Sequence, residues 1–282
     1  DQAILKYRTT LEYLPKNSSE TANVFFNLAK AFSGRGYYDE AIRYLEQAQT
    51  MNLQSETEEQ PAFYYYLGYA YHKKSEQSGS SENADKAVDF FRRFIDVSGF
   101  VDPETYSYLG NIYESKRNYN DAIKAYDKAL QASQIYKFSE EDYRYRKGKV
   151  LLSVGKFEES IVELTKALDT KVSKPLVFIT LAEAYLNTNR KDKAFEYVKK
   201  AEHSFYDVHH EVHEKKISDK IAKVKANLNH QRKKDFFIKV IIPFLLLIVV
   251  VVVIFFLIRS YIEEQKHVYL DDIKFVKDSS QA

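Results

Sequence analysis

The most informative part of the chain is residues 103–136, PETYSYLGNIYESKRNYNDAIKAYDKALQASQIY, which contain two amphipathic segments in succession. Apolar residues recur at helical spacing in both: Tyr106, Leu109 and Tyr113 in the first, and Ala122, Tyr126 and Ala129 in the second. Residues spaced in this way lie on one face of a helix. The stretch therefore predicts two helices joined by a short polar turn.

The spacing of the second segment returns along the chain. Three further triplets share it: Ala41, Leu45 and Ala48; Ser160, Leu164 and Ala167; and Ala194, Val198 and Ala201. Shortly before each triplet another predicted helix ends in a large apolar residue, at Phe32, Leu151 and Tyr185. A recurring pattern of this kind is typical of proteins built from stacked units.

These residues resemble the tetratricopeptide repeat (TPR), a helix–turn–helix unit of about 34 residues. The resemblance divides the chain into five units, 22–55, 61–101, 103–136, 141–174 and 175–208, preceded by residues 1–21 as the second helix of a truncated N-terminal repeat. The fold that it implies is all-α, a TPR superhelix in which each helix pair stacks on the next and a concave groove is formed.

Two units depart from the repeat pattern. In unit 61–101 the second helix starts later than the pattern allows, and the extra residues Lys74–Ala84 are rich in Ser, Gly, Glu and Asn. We predict that they form a loop between the two helices, and Phe94 replaces the usual small residue in the second helix. In unit 141–174, Arg144 and Lys147 stand where apolar residues are usual.

The segment from Val240 to Ile258 carries no charged or hydrogen-bonding side chain. An apolar run of about 18 residues or more is long enough to cross a bilayer as a helix. A buried core helix is the weaker reading, because core helices rarely stay apolar on every face over such a length. We predict a single transmembrane helix over residues 236–259, with Pro243 in the first turn of the apolar span Val240–Ile258, where a missing N–H costs little.

Residues 209–235 predict a capping and juxtamembrane helix ahead of this span. Four apolar residues recur there at helical spacing: Ile217, Ile221, Val224 and Leu228. Because no Gly or Pro separates Ile217 from Pro243, we predict that the capping helix continues into the transmembrane helix. Residues 260–282 form a short polar tail.

Basic residues predict the orientation of the chain in a membrane. Arg232, Lys233 and Lys234 precede the span and fewer basic residues follow it, which places the repeat domain on the cytoplasmic side. The first residue is Asp1 and the only methionine is Met51, so we expect translation to start upstream. A leader cleaved there would place the repeats on the periplasmic or extracytoplasmic side, and this alternative stays open.

The composition argues against several classes of function. Without cysteine the chain has no disulfide, thiolate nucleophile or cysteine-ligated metal, and its net charge of +2 argues against a nucleic-acid partner. His209, His210 and His213 are close in sequence, but their spacing around Glu211 is not that of a zinc protease motif. We expect no catalytic residue, no metal and no cofactor, and a protein that is not an enzyme.

The resemblance implies that function lies in the groove. In this family the first helix of each unit lines the concave face with four groove positions, its second, fifth, ninth and twelfth residues. The residues at the groove positions are Phe26, Lys30, Tyr65, Tyr69, His72, Asn111, Glu114, Tyr145 and Lys149, with Lys73 beside them. Some family members grip a terminal carboxylate with Lys and Asn four residues apart in one unit. Phe26 and Lys30, or Ser107 and Asn111, stand there instead, which argues against a co-chaperone of that type.

Two functions follow from these features. The first is a membrane-anchored scaffold that binds other proteins, as extended segments or helices in the groove or as subunits of a larger membrane-bound complex. The alternative is a membrane-tethered receptor or adaptor that captures client peptides transiently. The expected partners are proteins and the lipid bilayer, and not nucleic acid.

Overall fold

The computed structural model describes residues 2–52, 60–99, 102–136, 143–169, 174–206 and 214–259. Within these ranges the regular structure is helical and contains no strand. The helices are α1 (Gln2–Leu11), α2 (Ser19–Ser33), α3 (Tyr38–Asn52), α4 (Gln60–Ser78), α5 (Ser81–Ser98), α6 (Pro103–Ser115), α7 (Tyr119–Tyr136), α8 (Tyr143–Ser153), α9 (Phe157–Ala167), α10 (Lys174–Asn187), α11 (Lys191–Tyr206) and α12 (Glu214–Phe236). They fall into two compact parts, divided between Ile217 and Ser218.

Helices α2 to α11 form the five predicted pairs, and each pair packs closely on itself. The first helix of one pair also contacts the second helix of the pair before it, so the pairs stack in chain order. Helix α1 packs against α2 and occupies the place of the predicted N-terminal half repeat. The all-α repeat fold expected from the sequence is confirmed.

In three units a glycine of the first helix faces a bulky residue of the second. A Cβ atom added at Gly110 would lie 2.6 Å from the ring of Tyr126, one at Gly148 would lie 2.7 Å from Leu164, and one at Gly68 would lie 2.7 Å from the ring of Phe91. The other two units have Ala29 and Leu45, and Ala182 and Val198, at the same spacing as Gly110 and Tyr126. All five bulky residues are buried, so each belongs to the core of its unit.

The loop predicted within Lys74–Ala84 is wrong. Helix α4 continues to Ser78 and α5 begins at Ser81, so only Gly79 and Ser80 connect them. The extra residues lengthen both helices. Gly79 adopts φ +68°, and the Ser80 side chain accepts a hydrogen bond from the backbone N–H of Asn83 and so caps α5.

Charged residues replace apolar packing in the fourth unit. The Glu163 carboxylate on α9 binds Arg144 Nη1 at 3.0 Å and Lys147 Nζ at 3.1 Å, both on α8. Lys147 Nζ also lies 2.7 Å from Oδ1 of Asp127 on α7. Burial alone would lower the pKa of Lys147, but its hydrogen bonds to Asp127 and Glu163 outweigh burial and raise the pKa. An ion network thus joins three helices where apolar residues are usual.

The second compact part contains one helix long and apolar enough to cross a membrane. This helix runs from Ile217 to Arg259, and the apolar side chains that follow Ile242 are exposed along its length. Earlier in the helix, the face predicted for a capping helix is buried at Ile217, Ile221, Val224 and Leu228. The prediction that the two segments form one continuous helix is confirmed.

The prediction that Pro243 lies in the first turn of a helix is wrong, because Pro243 lies within a continuous helix. Helix α12 passes through a π-helical turn over Phe237–Ile241 and then continues as α-helix. In that turn the N–H of Ile242 donates to the carbonyl of Phe237. Proline has no N–H to donate and its ring crowds the carbonyl four residues earlier, so a wider turn relieves the conflict within an unbroken helix.

Candidate partner-binding groove

The predicted groove residues lie on the first helices of four consecutive units. Phe26 and Lys30 are on α2, and Asn111 and Glu114 are on α6. Helix α4 carries Tyr65, Tyr69, His72 and Lys73, and α8 carries Tyr145 and Lys149. The structure gathers most of them into an aromatic half around α4 and a polar half between α6 and α8.

The aromatic half centres on one carboxylate shared by two tyrosines. Glu104 accepts a hydrogen bond of 3.1 Å from the Tyr65 hydroxyl and one of 2.6 Å from the Tyr108 hydroxyl. Burial, with the negative charge of Glu104 nearby, raises the pKa of both tyrosines. Both hydroxyls therefore remain protonated donors at neutral pH, and the two rings are held in place.

Further aromatic rings extend this surface toward the first unit. The Tyr69 ring lies 5.6 Å from that of Tyr108 and 6.4 Å from that of Tyr38. At the α2 end, Lys30 Nζ is exposed and lies 5.6 Å from the ring centre of Phe26 and 5.4 Å from that of Tyr66. Exposed aromatic rings pack against apolar side chains, and the lysine ammonium attracts acidic ones. This end of the surface is therefore suited to segments that carry both kinds of side chain.

His72 lies beneath this surface rather than on it. Its side chain is only 2% exposed and its ring is 5.2 Å from that of Tyr108. Nε2 comes within 3.5 Å of the Glu76 carboxylate, yet neither ring nitrogen has a hydrogen-bond partner. Burial is the main cause that lowers the pKa of His72; Glu76 opposes it, Lys73 and Arg146 add to it, and the resulting pKa is about 4. A neutral histidine therefore supports Tyr108 from below at neutral pH.

The polar half is an interlocked set of side chains from α6, α7 and α8. Asn111 Oδ1 accepts hydrogen bonds from the Tyr126 hydroxyl at 2.8 Å and from Arg146 Nη1 at 2.7 Å. Lys149 Nζ pairs with Oε1 of Glu114 at 2.9 Å. Asn111 and Glu114 are thus engaged within the domain, and Lys149, 39% exposed in its side chain, presents the positive charge.

Three other residues named in the sequence analysis have less exposed positions. Lys73 is half-buried and pairs with Glu76 at 2.8 Å, and its Nζ also lies 6.0 Å from the centre of the Tyr69 ring. Tyr145 is half-buried on α8. Ser107 is buried in α6, so it does not line the groove.

Three residues important to this surface were not singled out from the sequence: Glu104, Tyr108 and Arg146. Glu104 occupies the first of the four groove positions in its unit, so the same rule that selected Asn111 would have found it. Tyr108 and Arg146 lie one residue beyond such positions, at Ser107 and Tyr145. Their side chains reach the groove through long-range contacts that sequence spacing does not reveal.

The part of the chain that the structure describes contains no group of three His, Asp or Glu residues that could hold a metal ion. His209, His210 and His213 lie outside the described residues. A cavity lined by α5, α6 and α7 lies apart from the groove residues.

Three segments match family models described as tetratricopeptide repeat: residues 26–98, 103–133 and 177–202. No curated protein matches the chain. Several solved structures match it. The crystal structure of the MamA protein is 20% identical in sequence, and the alignment covers 66% of this chain and 93% of the MamA chain with a TM-score of 0.55. BtubC from P. vanneervenii is 16% identical, with coverages of 74% and 90% and a TM-score of 0.58.

A third solved structure is that of YrrB, described as a TPR protein with an unusual peptide-binding site. It is 17% identical, covers 70% of this chain and 91% of its own, and has a TM-score of 0.54. At these identities the likeness concerns the fold alone. The five stacked helix pairs, the small-to-bulky contact seen in three of them and the matches in three segments lead to one conclusion: the chain has the fold of a tetratricopeptide repeat superhelix.

Proposed function

We propose that the protein is a membrane-anchored scaffold that holds protein partners in its repeat groove as part of a membrane-bound complex. The observation that carries the proposal is the continuous helix Ile217–Arg259, whose apolar half has no buried side chain. Exposed apolar surface of this extent marks a membrane or an interaction site. Joined to a repeat domain, it fits a tether for a binding surface.

The sequence of the apolar segment supports an anchor rather than a transport element. From Val240 to Ile258 it offers no ionisable group that could relay a proton and no small residue for close helix pairing. Lys233 and Lys234 lie in the last turn of α12, and Arg232 precedes them. Basic residues at this end favour a cytoplasmic repeat domain, as proposed from the sequence.

Cysteine labelling tests the anchor and its orientation together. The natural chain has no cysteine, so Ser78→Cys at the exposed end of α4 and, separately, Ser280→Cys in the C-terminal tail give single reactive sites. We expect a membrane-impermeant maleimide on intact cells, or on spheroplasts of a bacterium with an outer membrane, to label position 280 and not 78. The opposite pattern would reverse the orientation. Equal labelling of both sites, or of neither, would contradict a membrane-spanning chain.

The groove is the proposed partner site, and the positive charges at its two ends are Lys30 and Lys149. Charge reversal by Lys30→Glu or Lys149→Glu should reduce partner capture by about tenfold, because each places a negative charge beside groups that now favour acidic segments. Capture is measured by photo-cross-linking from position 69 in native membranes. Lys156→Glu is the matched control, since Lys156 is 53% exposed and lies between α8 and α9. Unchanged capture in both groove variants would contradict this site.

A transient receptor is the second candidate, because a ring-lined groove also suits extended client peptides. The lifetime of the cross-linked partner complex separates the two functions. A partner that remains bound through detergent extraction and gel filtration supports the scaffold. A partner that exchanges within seconds against added competitor peptide supports the receptor.

A further inference from the structure

The second and third units leave a crevice between their second helices. Helices α5 and α7 form its sides and α6 forms its floor, and its volume is about 400 Å³. Cavities of roughly 300–1,000 Å³ are the usual size of binding sites. The crevice lies on the second-helix side of the repeats, so it is separate from the groove of the proposed function.

The crevice lies where two neighbouring units pack less closely. Helices α5 and α6 contact each other less than the corresponding helices of other neighbouring units do. The second unit also departs in sequence here: it has Phe94 where the other four units have the fully buried Ala48, Ala129, Ala167 and Ala201. Phe94 is half-buried, with its ring 5.5 Å from that of Tyr65 in the same unit.

The floor of the crevice is apolar and largely buried. Tyr106, Leu109 and Ala125 are 8%, 5% and 3% exposed, and Ile95 joins them from α5. Ile135, which is 62% exposed, lies two helical turns beyond Lys128 on the same face of α7. The apolar surface thus continues along α7 past the end of the crevice.

The rim is charged and favours an acidic occupant. Arg92, Lys124 and Lys128 supply three positive charges, and Lys128 Nζ lies 5.2 Å from the centre of the Tyr106 ring. Of the two rim carboxylates, Asp121 is already held by Asn118 at 2.8 Å and by Lys124 at 3.3 Å. Asp96, exposed on α5, is the remaining negative charge. Because Lys124 and Asp121 neutralise each other, Arg92 and Lys128 stand against Asp96 alone, and the rim around the apolar floor is net positive.

We propose that this crevice binds an amphipathic helix of a partner protein, with apolar residues seated on Tyr106, Leu109 and Ala125 and acidic residues facing Lys124 and Lys128. A groove between two helices accommodates a third helix through anchors spaced i, i+3 or i+4, and i+7. The crevice is open to solvent rather than enclosed, whereas small-molecule sites bury about 70–90% of their ligand. An open crevice with an apolar floor therefore favours a helix.

The test uses the full chain in nanodiscs of zwitterionic lipid and a fluorescein-labelled model peptide. The peptide is helical, with leucines spaced i, i+3, i+4 and i+7 and flanking glutamates, and its matched control replaces the glutamates with lysines. Fluorescence anisotropy should show saturable binding of the acidic peptide only. Empty nanodiscs measure binding to lipid, which is subtracted.

Three variants locate the binding. Lys128→Glu should lower the affinity for the acidic peptide by about tenfold, and Asp96→Asn should raise it by roughly threefold. The two substitutions change the charge of the rim in opposite directions. Ala125→Leu should fill the crevice and abolish binding while circular dichroism shows unchanged helix content. Ile161→Leu, a buried substitution on α9 outside the crevice, is its packing control and should bind normally.

Several results would overturn the proposal. Absence of saturable binding, equal binding of the lysine-flanked peptide, or affinities that Lys128→Glu and Ala125→Leu leave unchanged would each do so. Self-association of the full chain that Ala125→Leu abolishes would also overturn it, because the occupant would then be a second copy. None of these outcomes affects the cysteine-labelling or groove cross-linking tests of the proposed function.

Discussion

Replacing Glu163 with alanine should lower the local free energy of unfolding of α8 and α9 by about 3 kcal/mol. The carboxylate lies between Arg144 and Lys147, and the side chains of all three are less than one-fifth exposed. Its removal leaves two largely buried cations without the charge that they share. Lys147 keeps Asp127, which is about half exposed, so the loss should fall at the lower end of the range for broken buried ion pairs.

Native-state hydrogen exchange of the full chain in detergent micelles measures this effect, because repeat proteins open locally and a single unfolding transition is not assured. Glu159→Ala is the control: Glu159 is 60% exposed and pairs with Lys156, so its loss should change exchange by less than about 1 kcal/mol. Protection of α8 and α9 that Glu163→Ala leaves intact would contradict a stabilising network.

The triple substitution Arg144→Leu, Lys147→Leu and Glu163→Leu should recover the stability lost in Glu163→Ala. Apolar side chains of similar size often match or exceed a buried ion network, since no charge then has to be desolvated. Arg144 and Lys147 stand where apolar residues are usual in the repeat, which makes such packing compatible with the fold. If the triple variant is as unstable as Glu163→Ala, the defect arises from lost volume and not from unpaired charge.

His72 should make the repeat domain sensitive to acid. Its pKa is about 4 in the folded protein against an ordinary value of 6.5, so the unfolded chain takes up a proton first as the pH falls. The stabilisation from neutral His72 is complete above pH 6.5 and is lost progressively between pH 6.5 and 4. By linkage, the loss at pH 4 amounts to about 3 kcal/mol.

The variant His72→Phe should remove this part of the pH dependence, because a neutral ring of similar shape fills the space beneath Tyr108. The measurement is the difference in the free energy of unfolding between pH 7 and pH 4. It is obtained from urea unfolding that is monitored by hydrogen exchange in α4 and α6. His72→Gln also cannot titrate in this range, so it should show the same reduced slope even if its packing is poorer. A slope that both variants retain would assign the acid sensitivity to other groups.

The sequence was sufficient to predict the helix pairs because each pair repeats its own local pattern. The triplet at Ala122, Tyr126 and Ala129, for example, lies on the buried face of α7 as its spacing requires. The apolar segment after Lys239 was equally clear, since no other element of this fold exposes such a run. In both cases, periodicity along the chain determines which side chains are buried.

Other features depend on contacts that cross between units, and local patterns do not contain them. A polar composition at Lys74–Ala84 predicts a loop, yet Glu76 and Glu82 of this segment form helical ion pairs with Lys73 and Lys86, which suit longer helices. In the groove, the spacing rule identified Tyr69 and Lys30 but gave no sign that His72 would be covered by Tyr108 from another helix. Burial of individual groove residues follows from how far neighbouring rings reach.

The match between a small residue and a bulky one inside each helix pair has an evolutionary consequence. Glycine lies against Phe91, Tyr126 and Leu164, and alanine stands at the same position in the units of Leu45 and Val198. We expect a larger residue at the glycine position alone to disturb the packing of its unit, so that lasting change requires both partners to vary together. Because the match lies wholly within one pair, a duplicated unit inherits it intact, and the lengthened helices of the second unit kept it too. Such self-contained fit lets a chain gain or lose repeats while its neighbours remain unaltered.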